Sequence, residues 1–88
     1  MIYVYVLLSE YDGTRYIGQT EELPSRLKEH NLGRCRYTKG RRPWKIVYKE
    51  QFYSRSEAMK RERILKSGVG RQFLDMLLVQ PKEPLIAP

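Results

Sequence analysis

Two tyrosines, an arginine, a histidine and a glutamate stand at spacings that could gather acid–base and anion-binding groups: Tyr5, Tyr16, Arg26, His30 and Glu62. Arg26 and His30 are four residues apart and so share one face of a helix, where an arginine beside a histidine can hold a phosphate. The alternative is a solvated helix face with an incidental histidine. Tyr5 and Tyr16 lie eleven residues apart, on either side of Asp12-Gly13, a dipeptide favoured in tight hairpins. With those two as the turn, Tyr11 pairs with Thr14 and Leu7 with Gly18, an odd-sum register that puts both tyrosines on one face. That register separates them by about four residues, roughly 13 Å, so the phenols meet only through a wider loop or a bulge. Otherwise they are ordinary strand tyrosines packing the sheet.

Glu62 is the anomaly of the second half. Ala58, Met59 and Leu65 define the apolar stripe of a helical segment, and Glu62 lies at i+4, i+3 and i−3 from them. A carboxylate in a buried stripe carries a desolvation cost unless it meets a cation, and a divalent metal would satisfy it. An ion pair with Lys66 or Arg63 at the edge of the stripe would do so too.

The elements that must position these groups are legible as patterns. Ile2 to Leu8 is β-branched and aromatic, so residues 2 to 9 and 14 to 19 are expected to form a hairpin. Glu21 and Glu22 before Leu23, with Pro24 suited to a first turn, predict a helix over about 23 to 32 that stops near Gly33. Residues 33 to 43 form an exposed loop, and Trp44 to Phe52 alternates as a third strand. Ser54-Arg55-Ser56-Glu57 has capping-box spacing and opens a helix over about 55 to 67. Gly68 and Gly70 break it, and Phe73, Leu74, Leu77 and Leu78 space a third helix over Arg71 to Val79. The order is ββαβαα, an α/β (α+β) fold with a small three-stranded antiparallel sheet over residues 1 to 80. The proline-bearing tail, 81 to 88, is expected to be flexible.

Composition narrows the partners. Of 88 residues, 17 are Lys or Arg and 10 are Asp or Glu, a formal charge of +7 that favours a polyanion. Arg34, Arg36, Lys39, Arg41, Arg42, Lys45 and Lys49 follow one another with no acid between His30 and Glu50. The apolar run Ile2 to Leu8 is far shorter than the roughly 20 residues a membrane helix needs, and the start lacks a basic n-region, so a cytoplasmic location is expected. The single Cys35 and single His30 exclude an intrachain disulfide and a Cys/His zinc site.

Taken together these residues resemble the GIY-YIG nuclease family, whose signature is GIY on the first strand, YIG on the second, Arg and His on the next helix and Glu on a later one. Tyr16-Ile17-Gly18 is intact, whereas the first triplet is Tyr3-Val4-Tyr5 and lacks the glycine. Arg26 follows Tyr16 by ten residues, His30 by four more, and Glu62 stands in Arg61-Glu62-Arg63-Ile64-Leu65-Lys66. His30-Asn31-Leu32-Gly33, Tyr37-Thr38, Arg42-Pro43, Lys45 to Tyr48 and Lys66 to Leu74 resemble small stand-alone bacterial members, related to the N-terminal cleavage domain of the excision-repair nuclease.

The resemblance implies a metal-dependent endonuclease of low sequence specificity, acting on DNA more than RNA, with a role in repair or recombination. It implies that Glu62 binds one Mg²⁺ or Mn²⁺, Arg26 contacts the scissile phosphate, Tyr5 is the general base, and Tyr16 and His30 orient water or phosphate. Gly18 is the motif glycine. Arg34, Arg36, Tyr37, Lys39, Arg41, Arg42 and Lys45 would bind the flanking backbone. The rival is a nucleic-acid-binding module of the same fold with little catalysis, working with a protein partner in repair.

Overall fold

The computed structural model describes residues 1–78, so the tail expected over 81 to 88 lies outside the described residues. The chain runs β1 (Ile2–Ser9), β2 (Arg15–Thr20), α1 (Leu23–Asn31), a 3₁₀ turn (Lys39–Arg41), β3 (Trp44–Phe52), α2 (Arg55–Leu65) and α3 (Gly68–Leu78). The strands form one antiparallel sheet in the order β2-β1-β3, which makes the apolar β1 central and gives the expected α+β fold.

Strand alternation divides the core in two. Ile2, Val4 and Val6 face Ala58 and Leu65 of α2 and Leu74 of α3, while Tyr5 and Leu7 face Leu23 and Trp44 on the side of α1. Strand β3 does not alternate throughout as its sequence suggested. Val6 pairs with Tyr48 but Leu7 with Ile46, so an inserted residue lets Val47 and Tyr48 both pack toward α2 and α3 while Ile46 returns to the α1 side.

The hairpin is wider than a two-residue Asp12-Gly13 turn. Ser9 N–H donates to Thr14 O at 2.8 Å, Gly13 N–H to Ser9 O at 2.9 Å, and the Ser9 hydroxyl accepts from the amides of Tyr11 and Asp12. Gly13 lies at φ +77°, a left-handed conformation that suits glycine. The satisfied turn moves the register by two residues: Tyr5 now opposes Gly18 and Leu7 opposes Tyr16. The tyrosines keep the expected shared face and become diagonal neighbours.

Helix boundaries follow their caps. At the end of α1, Gly33 N–H donates to His30 O and Arg34 N–H to Glu29 O, a Schellman closure with Gly33 at φ +80°. Ser54 Oγ accepts from Glu57 N–H at 3.2 Å as expected, but the Glu57 carboxylate accepts from the Ser54 hydroxyl instead of reaching its backbone N–H. Two expectations about the second half need correction. Met59 is 48% exposed, so the buried stripe of α2 is Ala58 and Leu65. Helix α2 ends at Leu65 and α3 begins at Gly68, not Arg71, with Gly70 inside it, so the expected break is present but falls at Lys66-Ser67, ahead of the glycines.

Gly70 is there for space. A Cβ on it would stand 2.2 Å from Ile64 O and 2.3 Å from Leu65 Cα, which are backbone atoms of the α2 terminus that cannot step aside. Alanine ordinarily gains up to about 1 kcal/mol over glycine inside a helix, whereas overpacking costs about 1–3 kcal/mol. Gly70→Ala is therefore expected to lower the urea midpoint of unfolding. Gly68→Ala, which meets nothing within 4 Å, should leave it unchanged or raise it.

Candidate active site

Four of the five chemically suggestive residues gather on the α1 side of the sheet. Tyr5, at 1% exposure, points its hydroxyl at His30 Nε2, 3.1 Å away. His30 is fully buried, and its Nδ1 lies 2.7 Å from Thr38 Oγ1. Because the Thr38 hydroxyl can donate onward to Cys35 O, a neutral His30 gives its Nδ1 proton to Thr38 and leaves Nε2 to accept from Tyr5. Burial and then the charge of Arg26 lower the His30 pKa, which favours that neutral form.

Arg26 places its guanidinium beside the Tyr5 hydroxyl, and its Nη1 also pairs with Glu29 at 3.1 Å. Desolvation still dominates for Tyr5, whose phenol is pushed up to about 12 despite the opposing effect of Arg26. The Tyr16 ring lies 6.3 Å from Tyr5, 5.0 Å from His30 and 5.7 Å from Tyr37, which is 71% exposed.

Gly18 is the residue that lets Tyr5 lie across β2. A Cβ there would stand 2.7 Å from the Tyr5 hydroxyl oxygen and 3.0 Å from the Tyr16 ring. A glycine opposite Tyr5 is thus a steric requirement of the cluster.

Glu62 is not joined directly to the other four. It belongs to α2, on the other face of the sheet, with its side chain 19% exposed. Its Oε1 accepts from Gln19 Nε2 at 2.7 Å and its Oε2 from Lys66 Nζ at 2.6 Å. The ion pair that the sequence allowed is therefore formed, with Lys66 and not Arg63. No three His, Cys, Asp or Glu side chains assemble into a metal-ligand set among the described residues. One carboxylate nonetheless suits a Mg²⁺-type ion, which commonly takes one or two protein carboxylates and completes its shell with water and substrate phosphate.

The basic segment is less free than its sequence implied. Trp44 Nε1 donates to Thr38 O at 2.9 Å, Ser9 Oγ to Arg41 O at 2.7 Å, and Asn31 holds both the N–H and C=O of Trp44. Arg41 pairs with Asp12, whose carboxyl is lowered to about 2 by hydrogen bonds from Thr14 and then from Ser9 and Arg41. Arg42 donates to Lys39 O at 2.8 Å and lies over Gly33. Arg34, Arg36, Lys39 and Lys45 are exposed and make no salt bridge among the described residues. Thr38, Asn31 and Gln19 have structural parts in the site that spacing alone did not indicate. Thr38 looked like one more loop residue, and Gln19 gave no signal beyond following Gly18.

Known proteins share this sequence and fold. Residues 1–73 match the model of the GIY-YIG catalytic domain. A UPF0213 protein of Staphylococcus haemolyticus is 42% identical over 76 residues, covering 85% of this chain and 92% of the relative. One of Listeria monocytogenes is 44% identical over 73 residues, 82% of this chain and 81% of the relative. The solution NMR structure of a UPF0213 protein from Bacillus halodurans superposes with a TM-score of 0.54 at 36% identity, covering 92% of this chain and 89% of that one. On sequence and fold alike, this chain belongs to the GIY-YIG family, alongside its small UPF0213 proteins.

Proposed function

We propose that this protein is a metal-dependent endonuclease that hydrolyses nucleic-acid phosphodiester bonds, DNA in preference to RNA, with low sequence specificity and a role in repair or recombination. The observation that carries the reading is the buried Tyr5 hydroxyl, 3.1 Å from His30 Nε2 and packed beside the Tyr16 ring on the α1 side of the sheet, where Arg26 also lies. In this reading Tyr5 loses its proton to solvent, Arg26 steadies the phenolate, and Tyr5 then takes a proton from the attacking water as general base. Arg26 also meets the scissile phosphate, and Tyr16, its ring tilted against that of His30, orients the water. Glu62 would hold one Mg²⁺ or Mn²⁺, which when bound neutralises charge on the phosphoryl group and the leaving oxygen. Arg34, Arg36, Tyr37, Lys39 and Lys45 present an exposed surface for phosphates, contacts that carry no sequence information, and this supports low sequence specificity.

A second reading, a binding module that acts with a protein partner, is favoured by the 1% exposure of Tyr5 and by Lys66 seated on Glu62. Nicking of branched, nicked and single-stranded substrates with Mg²⁺, Mn²⁺ or chelator separates the two. Under the nuclease reading Glu62→Gln lowers the rate by about 10³-fold or more with little change in melting temperature. A carboxylate that only pairs with Lys66 predicts about 1 kcal/mol or less of stability and no loss of rate. Activity that survives excess chelator rejects the metal-dependent assignment.

The raised Tyr5 pKa has a pH signature. If phenolate is the reactive form, the nicking rate should climb by roughly tenfold per unit between pH 7 and 9, and Tyr5→Phe should abolish both rate and slope. Stability moves the other way. The folded value of about 12 lies above the unfolded value of about 10, so burial of the neutral phenol contributes stability that is complete below pH 10 and lost as pH approaches 12. Wild type should lose more stability across that window than Tyr5→Phe, measured by urea unfolding.

Binding is expected to weaken steeply with salt. Each phosphate contact contributes a slope of roughly −0.7 to −0.9 in log K against log salt, so Arg34→Ala with Arg36→Ala should flatten the slope by about one to two units. Arg41→Ala with Arg42→Ala should have the smaller effect on slope, because both side chains already have protein partners. Equal slopes in all three proteins would place the binding surface elsewhere.

A further inference from the structure

Gln19 follows Gly18 in β2 and pairs with Val4, so alternation turns it away from the tyrosines and toward α2. Its Nε2 donates to Glu62 Oε1 at 2.7 Å, and its Oε1 accepts from Arg55 Nη1 at 3.0 Å. Arg55, the first residue of α2, is held in turn by Glu21 at 3.1 Å. A guanidinium can only donate, so it fixes which end of the amide it faces, and the NH₂ end is thereby the one presented to Glu62.

The other oxygen, Oε2, is held differently. Its partner is the Lys66 ammonium at 2.6 Å, carried on a flexible side chain that is 54% exposed and free to swing away. Gln19, by contrast, is anchored at both ends of its amide. It also lines both the hollow that contains Glu62 and Lys66 and the neighbouring hollow that contains Arg26 and Arg55. One side chain thus spans the edge of β2 between the two parts of the candidate site.

We infer that Gln19 is a positioning residue: clamped by Arg55, it holds Glu62 Oε1 at the edge of β2 and leaves Oε2, once Lys66 has swung away, as the oxygen offered to a divalent cation. The inference rests on the reading of Glu62 as a metal ligand and assigns the side chain that orients it. Outer partners of metal ligands act in this way, and their loss typically weakens metal binding by 10- to 100-fold.

The test is Mn²⁺ binding to the full chain, followed by electron paramagnetic resonance, with melting temperature and circular dichroism on each preparation. Gln19→Ala is expected to stay folded, to bind Mn²⁺ roughly 10- to 100-fold more weakly, and to lose kcat with KM for DNA unchanged. Arg55→Ala, which frees the amide to flip, should weaken Mn²⁺ in the same direction. Gln19→Glu has the opposite sign: a second carboxylate against Glu62 lowers the melting temperature without metal, but it binds Mn²⁺ more tightly than wild type and regains stability when Mn²⁺ is added. A purely structural Gln19 would move melting temperatures and leave Mn²⁺ affinity alone.

If Glu62→Gln loses Mn²⁺ binding while Gln19→Ala keeps the wild-type affinity, the positioning role is overturned and the role of Glu62 stands. If Glu62→Gln binds Mn²⁺ as wild type does, the reading of Glu62 fails and this inference fails with it. Should Gln19→Ala not fold, Gln19→Glu decides alone, and an Mn²⁺ affinity no tighter than wild type overturns the proposal.

Discussion

The rest of the site depends on a buried tyrosine opposed by a glycine. Tyr5 lies in the central strand, paired on both sides, so its backbone has no freedom to move. Its ring must lie across β2 at Gly18, where a side chain would collide with the hydroxyl. The hydroxyl in turn needs a partner, since an unpaired buried polar group is costly, and His30 supplies it from α1. His30 then needs Thr38, and Thr38 brings down the loop after α1. That loop is also tied to β3 through the Trp44 indole and through Asn31. Among the described residues, no buried side-chain nitrogen or oxygen lacks a hydrogen-bond partner. A fully satisfied buried network specifies one arrangement, and here it locks α1, the basic loop and two strands to a single phenol.

The sheet also separates opposite kinds of chemistry. On the α1 side are a desolvated phenol, a neutral imidazole and a guanidinium, with no carboxylate nearer than Glu29 among their hydrogen-bond partners. On the α2 side is Glu62, kept at low exposure by Gln19 and Lys66. Direct contact between Glu62 and Arg26 would form an ion pair and occupy both groups. Placing them on opposite faces of the edge strand keeps them from pairing with each other, and each takes a partner on its own side, Glu29 for Arg26 and Lys66 for Glu62. Gln19 lines the hollows beside both groups.

Much of the architecture was legible in local patterns. Strand β3 began and ended where alternation and flanking signals put it, α1 stopped at Gly33, and Ser54 capped α2. These features depend on chemistry within a few residues: a left-handed glycine, a hydroxyl reaching its own helix, a run of β-branched residues. The basic segment was legible as charge but not as shape, because nothing in its sequence tells which cations Asp12 and the backbone of Lys39 will occupy. Met59 misled for a related reason. An apolar residue at helical spacing can lie just outside the stripe when α3 covers the other flank of the helix.

What the sequence determined by itself was the order of elements, the shared face of Tyr5 and Tyr16, and the presence of a carboxylate where α2 should have been apolar. Periodicity is a local property, so it survives whatever the rest of the chain does. Tertiary structure alone decided the distances. The Ser9 hydroxyl and Gly13 widened the hairpin and shifted its register by two residues, which turned two well-separated phenols into neighbours 6.3 Å apart. The α2 terminus and α3 were brought together until only a glycine fits at position 70. Partners such as Gln19 and Glu62, 43 residues apart, met only because α2 crosses the edge of β2. Contacts of that kind are set by how whole elements pack, and no window of sequence contains both of the surfaces that must fit.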